Sequence, residues 1–565
     1  MLVIGIHNTG YFSSCSIFKD NSLVFASAEE RLSRIKFDNQ FPFNAIDKGL
    51  KKIGATYDDV DEYIIAWNPY INASSRYRAG FSRWTAHPMQ RLYSNINAIL
   101  PRIEDKEIDV SSQIIKYKNK EVKFTFVNHH FAHIGMVYNT SGFDNSAIFI
   151  ADGYGEETST LLAVNENDKL RILKEHKFPH SLGMFYAAMT EFIEFNPEQD
   201  EWKVMGASAY GDENKYYNQI NKLIHVSEGD LELDLNYFNF YNFDTQGYFS
   251  NKMIELLGEP CNYEENEQKV YDIAAATQKV FEEKALELLT WLNTQYPSIT
   301  NLCYGGGTAM NGLLNGKIKK LTPYENLHIS FAPDDIGNSI GSVLYHHNIK
   351  LPNLQSYLGL EYNNDEIETI LSKFKIKANY FEDEELFDVV SNALIDESIV
   401  AWFQGKMEFG QRALGNRSIL ANPEKASMKD KLNSAIKYRE PFRPFAPSIL
   451  EEKADEYFED YIESPYMEKI LTVKEVYRDK VAAIVHGDFT GRLQTVSKNT
   501  NNKYYSLIKA FYEKTGIPLL VNTSFNVAGE PVVCSPEDAV KTFFTSGLDI
   551  LVLGNYVIRK DNSDT

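Results

Sequence analysis

The opening of the chain alternates short apolar runs with polar punctuation. Leu2–Ile6 is apolar, His7–Tyr11 reads as a turn, Ser13–Lys19 as a second strand, Asp20–Ser22 as a tight turn and Leu23–Ser27 as a third strand. Two apolar runs joined by Asp-Asn-Ser predict a β-hairpin. Val122–Asn128 has β composition and passes directly into an apolar, helix-compatible stretch from His130 to Tyr138. Ser146–Ala151 reads as a buried strand ending at Asp152-Gly153, and Ala274–Asn293 as a helix. Leu302–Tyr304 then meets Gly305-Gly306-Gly307 and a helical Thr308–Asn315. Strand, glycine turn and helix is a geometry that presents backbone N–H groups to a nucleotide. The character changes near Leu351-Pro352-Asn353, where a helix over Asp365–Phe374 and a strand over Ile399–Phe403 open a second unit. The pattern predicts an α/β chain of two domains, 1–355 and 356–565. Leu231–Tyr248, rich in Tyr, Phe, Asn and Asp, reads as an irregular aromatic-packed loop, with acceptor recognition as its functional alternative; Lys560–Thr565 reads as a loose tail.

Bulk composition narrows the class. A chain of 565 residues with 43% hydrophobic and 13% aromatic content supports packed cores in more than one domain. A net charge of −21 argues against nucleic-acid or anionic-membrane partners. Cys15, Cys261, Cys303 and Cys534 form no CxxC pair, so free thiols in a reducing compartment are expected. The apolar start is short, lacks a basic leader and reads as a strand, and no run approaches the roughly 20 apolar residues of a membrane helix. The expected location is cytoplasmic, and a symmetric dimer is the base-rate expectation.

Two local constellations stand out against this acidic background. Gly405–Ser448 and Asn522–Pro531 gather Lys406, Arg412, Arg417, Lys437, Arg439 and Arg443 among glycines, asparagines, hydroxyls and aromatic residues. Solvated charged faces are seldom so aromatic, and guanidinium forks match phosphate and carboxylate oxygens, so this reads as an anion site. In Asn128-His129-His130-Phe131-Ala132-His133, His129 and His133 are four residues apart and share a helix face. With Asp152 at a strand end and Asp335 in a Pro-Asp-Asp-Ile-Gly turn, they suit Fe, Mn or Zn.

GKMEFGQRALGNRSIL, REPFRPFAPS, GRLQTV and TGIPLLVNTSFN resemble the C-terminal half of the carbamoyltransferase family that includes nodulation and antibiotic O-carbamoyltransferases. HHFAH, DGYGE, KVMG, GGGTAMNG and DIGNSIG follow in the order of its N-terminal half. The resemblance implies an N-terminal actin/hexokinase-like (Kae1-like) domain holding an iron-type ion and a C-terminal YrdC-like domain for carbamoyl phosphate and ATP. It implies His129, His133, Asp335 and Asp152 as ligands, and Gly305, Gly306, Gly307, Asn311 and Lys203 around a nucleotide. It further implies Arg412, Lys437, Arg443 and Arg492 against phosphates, with Asn522, Ser524 and Asn526 as polar positioners; Arg417 and Arg439 read as structural. Mg is the expected counter-ion of ATP. The implied activity is transfer of a carbamoyl group, through carbamoyl adenylate, to a hydroxyl of a small molecule, a sugar or natural-product intermediate.

Phe12-Ser13 and Phe37 stand where many members carry His-Asp and His, which leaves His7 and His130 as candidates for the proton acceptor. A sugar-kinase-like enzyme, a nucleotide-binding regulator and a tRNA threonylcarbamoyl enzyme are the alternatives. The first leaves the basic C-terminal half unexplained, the second would bind ATP without turnover, and the acidity of the chain counts against the third.

Overall fold

A computed structural model describes residues 1–10, 12–69, 71, 109–117, 120–242, 245–437, 440, 442–443 and 445–560. Two compact units emerge, one from Met1–Glu29 and Asp38–Leu354, the other from Glu30–Phe37 and Gln355–Thr565.

The first unit uses one strand order twice. Leu2–His7 pairs antiparallel with Ser14–Lys19, which pairs antiparallel with Ser22–Ala28. On its other side lie Glu62–Ile65 and Lys120–Val127, both parallel, with Val110–Tyr117 antiparallel at the edge. In the second sheet Asn145–Ala151 takes the place of Leu2–His7. Thr158–Glu166 and Lys169–Lys177 follow antiparallel on one side, Asn301–Gly305 and Asn326–His328 parallel on the other. Three antiparallel strands continued by parallel ones, twice in one unit, is the actin/hexokinase-like arrangement. Leu2–His7 is buried along its whole length, as expected of a strand covered on both faces.

Helices His129–Ser141 and Asn338–His346 pack on each other and bring the site together. Their contact is closer than side chains allow: a Cβ on Gly135 would stand 2.1 Å from Gly341 O, and one on Gly341 2.0 Å from Ala132 O. Small residues at a helix crossing permit this approach of backbones.

The second unit holds one nine-stranded mixed sheet. Val400–Phe403 lies inside it, antiparallel to Arg417–Ala421 and parallel to Ile550–Leu553. Arg417–Ala421 then pairs with Leu519–Ser524, which pairs with Ala446–Leu450, and this with Thr490–Val496. Helices Asp383–Ile395 and Asn502–Thr515 pack together, and Trp402, Phe511 and Leu520 are among the residues of a continuous apolar core.

Three local expectations change. The helix expected over 274–293 runs from Glu267 to Gln295, because Asn266 caps it by accepting the Lys269 N–H. The stretch expected helical over 308–315 is a 3-10 turn, Gly307–Met310, followed by a helix, Gly312–Leu321; Asn311 leaves the helical path to cap the second. The aromatic excursion begins as a hairpin strand, Asp230–Leu233, paired with Ile224–Ser227, because Leu231 and Leu233 alternate inward. Residues 561–565 of the expected tail lie outside the described residues.

Candidate functional site

The first unit builds its cluster from a helix start, a strand end and a turn. Asn128 begins helix His129–Ser141, its Oδ1 accepting the N–H groups of His130 at 2.8 Å and Phe131 at 3.3 Å. Buried Glu156 accepts the His129 N–H at 3.1 Å and the Asn68 N–H at 2.6 Å, placing a carboxylate at the positive end of the helix. So fixed, the i,i+4 pair turns His129 Nε2 and His133 Nε2 to within 3.1 Å of each other.

Asp152 follows strand Asn145–Ala151 and brings Oδ2 to 3.0 Å from His129 Nε2 and 3.3 Å from His133 Nε2. Asp335, at the start of the turn before helix Asn338–His346, brings Oδ1 to 3.2 and 3.3 Å from the same two nitrogens. The four donor atoms lie within 4.8 Å of one another. Two imidazole nitrogens aimed at one point, flanked by two carboxylates, are a donor set that fits a transition-metal ion. The side chains of His129 and His133 are 1% and 0% exposed against 27% for Asp335, so the cluster opens to solvent beside Asp335.

Electrostatics in the cluster are set by these contacts. Burial works against charge on His129, but Asp335 and Asp152 outweigh it and raise its pKa well above the usual value. His133 is raised in the same way, burial again opposed by Asp152 and Asp335. Burial would raise Asp152 and Asp335, yet the two histidines hold both carboxyls below the usual range. Asn338 is a member that the sequence reading missed; its Nδ2 stands 3.1 Å from His133 Nε2.

The two proton-acceptor candidates are both buried. His7 Nε2 lies 2.9 Å from Thr9 O and 3.6 Å from Asp335 Oδ2, and burial lowers its pKa to about 4 despite Asp335. His130 is pushed down to about 3 by burial and by the neighbouring His129 and His133. It packs against Gly155 of the DGYGE segment, where an added Cβ would stand 2.8 Å from its Nδ1. Of the positions that depart from the family pattern, Ser13 Oγ donates to Asp38 O at 3.1 Å, and the Phe37 N–H donates to Glu30 at 3.0 Å.

The glycine turn serves this cluster. The Gly306 N–H donates to Pro333 O at 2.9 Å, and the Gly307 N–H to Asp152 Oδ1 at 3.0 Å. Gly306 has φ +88°, and a Cβ there would stand 2.2 Å from Ala151 O, so only glycine fits. Gly305 ends the preceding strand, paired with Ile150. The turn therefore engages two of its N–H groups internally and fixes Asp152 through one of them. Asn311 caps the next helix and exchanges hydrogen bonds with Gln278 at 2.9 Å. Lys203, in helix Glu201–Ala207, pairs with Asp200 at 3.0 Å and lies near the Phe195 and Trp202 rings.

A second grouping in this unit, Glu62, His346 and His347, contains its own cation. Lys123 Nζ stands 2.8 Å from Glu62 Oε1 and 3.3 Å from His346 Nε2, which makes it an ion-paired network.

In the second unit the predicted cationic residues separate into two kinds. Arg417 is fully buried, and its guanidinium donates to the carbonyls of Gln404, Gly405, Asn416 and Leu360 at 2.5–3.2 Å while lying 3.6 Å over the Phe403 ring. It is a structural residue. Arg492 lies on strand Thr490–Val496 and donates to Met467 O at 3.3 Å. Burial, and then the charge of Arg412, hold its pKa well below the usual guanidinium value, with Glu468 opposing them. Both side chains are half-buried, and a guanidinium fork suits an anion. Arg443 pairs with Glu440 at 3.2 Å. The Lys437 side chain and Arg439 lie outside the described residues.

Of the expected polar positioners, Asn522 faces inward. Its Nδ2 donates to Ala413 O at 3.2 Å and to Ser448 Oγ and Gln494 Oε1 at 3.0 Å. Ser524 Oγ donates to Asn526 Oδ1 at 2.6 Å, and Asn526 Nδ2 to the carbonyls of Val527 and Glu530. All four cysteines are free and buried. Among the described residues no helix is long and apolar enough to cross a membrane.

The chain is similar to an uncharacterised protein, sll1178, of Synechocystis sp., 35% identical over 99% of this chain and 96% of that one. It is similar to nodulation protein NolNO of Sinorhizobium fredii, 33% identical over 96% of this chain and 78% of that protein. Among solved structures, HypF of T. kodakarensis aligns at 13% identity and a TM-score of 0.29 over 62% of this chain and 48% of that one. That overlap is too loose to bear on the fold, which rests on strand order. The model of the carbamoyltransferase N-terminus matches residues 3–344, and that of the carbamoyltransferase C-terminus matches residues 391–560. With family models spanning both units, the chain belongs to the carbamoyltransferase family.

Proposed function

We propose that the chain is an ATP-dependent O-carbamoyltransferase acting on a small hydroxylated molecule. Carbamoyl phosphate would be cleaved by water to carbamate and phosphate in the second unit. A carbamate oxygen would then attack the α-phosphorus of ATP, forming carbamoyl adenylate and expelling pyrophosphate, with Mg as the nucleotide's counter-ion. Two anions must approach each other in that step. Arg412 and Arg492 supply fixed positive charge for it, and Arg443 and Lys437 are assigned with them.

In the first unit the acceptor hydroxyl oxygen would attack the carbamoyl carbon, AMP would leave, and the hydroxyl proton would pass to a base. His129, His133, Asp152 and Asp335 would hold an iron-type ion, which when bound supplies Lewis-acid polarisation of a carbonyl oxygen. Gly307 and Glu156 keep that cluster in register through Asp152 and the His129 backbone. His7 and His130 are both neutral at pH 7, as a proton acceptor must be. His7 lies nearer the open, Asp335 side and is the better placed of the two.

The observation carrying this reading is the convergence of the four donors in a chain whose two units match the two halves of the family. The test is nucleotide analysis of metal-loaded protein with ATP and carbamoyl phosphate. AMP and pyrophosphate that depend on carbamoyl phosphate are expected, and ADP would indicate kinase chemistry instead. Arg412→Ala and Arg443→Ala should each abolish pyrophosphate release; normal release in both refutes the assignment of the anion site.

A further inference from the structure

Arg412 sits on a loop, Gly410–Asn416, that belongs to no strand or helix. What holds the loop is a side chain that the reaction above does not use. Glu408 is 5% exposed, and its Oε1 accepts the N–H groups of Leu414 at 2.7 Å, Asn416 at 2.8 Å and Arg417 at 3.3 Å. N–H groups converging on one point form an anion nest of the kind that elsewhere receives a phosphate. Here the chain fills the nest with its own carboxylate. The carbonyls of the same loop are engaged by other residues. Asn522 donates to Ala413 O at 3.2 Å, Gln494 and Tyr357 each donate to Leu414 O at 3.0 Å, and Arg31 donates to Gly410 O at 3.2 Å. Gly415, with φ +104°, gives its N–H to Ser418 Oγ at 3.0 Å.

We propose that Glu408 is a positioning residue for anion binding: by filling the nest it sets the path of the loop, and with it the place of the Arg412 guanidinium. The proposal rests on the assignment of Arg412 and Arg492 to the phosphates of carbamoyl phosphate or ATP. It separates cleanly from a simple charge effect, because the two differ in sign. A carboxylate acting only through its charge repels an incoming anion, so neutralising it tightens binding. A carboxylate acting through the loop weakens binding when its hydrogen bonds weaken, and charge-assisted bonds are roughly twice as strong as neutral ones.

The test is calorimetric binding of carbamoyl phosphate to the full chain for wild type, Glu408→Gln, Glu408→Asp, Arg412→Ala and the Glu408→Gln/Arg412→Ala pair. Glu408→Gln keeps an acceptor oxygen and should weaken binding about 10-fold, since a displacement near 1 Å in a charged clamp has effects of that size or more. Glu408→Asp keeps the charge but draws the oxygens back from the nest, and should weaken binding comparably, which keeps the test alive if Glu408→Gln fails to fold. The pair should bind no more weakly than Arg412→Ala alone, within about 2-fold, because once Arg412 is gone its position no longer matters. Tighter or unchanged binding in Glu408→Gln, or losses that simply add in the pair, would overturn the proposal while leaving the phosphate assignment standing. Normal binding in Arg412→Ala overturns the assignment and this inference together.

Discussion

Replacing Gly135 by alanine tests whether helix packing sets the geometry of the His129–Asp335 cluster. The added Cβ would stand 2.1 Å from Gly341 O, 2.9 Å from Gly341 C and 2.9 Å from Tyr345 Cβ. Two of these neighbours are backbone atoms of helix Asn338–His346, so a rotamer change cannot relieve them. Carbon and oxygen need roughly 3.2 Å, so the helices must part by about 1 Å. Alanine within a helix gains about 1 kcal/mol over glycine, while overpacking of this severity costs about 3 kcal/mol, which leaves a net loss of about 2 kcal/mol. The same shift moves His129 and His133, on one helix, away from Asp335, at the head of the other. Metal sites tolerate about 0.2 Å, so affinity should fall on the order of 10- to 100-fold. Denaturant unfolding gives the stability, and competition with a chromophoric chelator gives the affinity. A Gly135→Ala protein with wild-type stability and wild-type metal affinity would refute the coupling of the helix contact to the site.

Two further outcomes follow from the same unit. In Glu62, burial alone would raise the pKa, but hydrogen bonds from His346, His347, Lys123 and Thr125 depress it strongly. A depressed folded pKa contributes stability that is present above the unfolded value of about 4.3 and is lost as pH falls below it. Glu62→Gln should therefore be less stable than wild type at pH 7, with the gap closing as pH falls from about 5 to 3 in urea titrations; a pH-independent gap would contradict the assignment. Asn128→Ala removes the cap under His129 and should cost about 1 kcal/mol in the same assay, whereas Asn128→Asp should cost almost nothing, since it keeps the acceptor oxygen at a positive helix end.

Sequence and structure agree where the signal is periodic. The opening hairpin is legible because its apolar runs are long enough and its turn is polar. His129 and His133 are legible as a pair because four residues bring side chains to one helix face. Asp152 and Asp335 are separate from that pair in sequence and enter by their places at a strand end and in a Pro-Asp-Asp-Ile-Gly turn, and the fold brings them to it. The residues that hold the site leave no such trace. Glu156, Glu408 and Gln494 act on backbone N–H and C=O groups, which every residue carries, so no pairing of residue types records the contact. Asn522, which the resemblance implies as a polar positioner, also holds the carbonyl of Ala413, in the loop that carries Arg412.

The contrast between Arg417 and Arg492 extends that argument to energetics. Both are guanidiniums on strands of one sheet, Arg417 fully buried and Arg492 half-buried, and their surroundings differ in kind. Arg417 satisfies four carbonyls and stacks on Phe403, so removing it strands several acceptors at once. Losing a buried, hydrogen-bonded charge in this way costs about 3–5 kcal/mol. Arg492 instead makes one hydrogen bond, to Met467 O, and burial, then the charge of Arg412, lower its pKa against Glu468. Before any anion binds, replacing one of two like charges by an apolar side chain of similar length relieves both repulsion and desolvation. Arg417→Met should therefore unfold at markedly lower denaturant than wild type, and Arg492→Met at equal or higher denaturant. Added carbamoyl phosphate should raise the midpoint of wild type by mass action and leave that of Arg492→Met unmoved. If Arg492→Met is destabilised as severely as Arg417→Met, and its midpoint still rises with carbamoyl phosphate, then Arg492 is a structural arginine and the phosphates must be held by other residues.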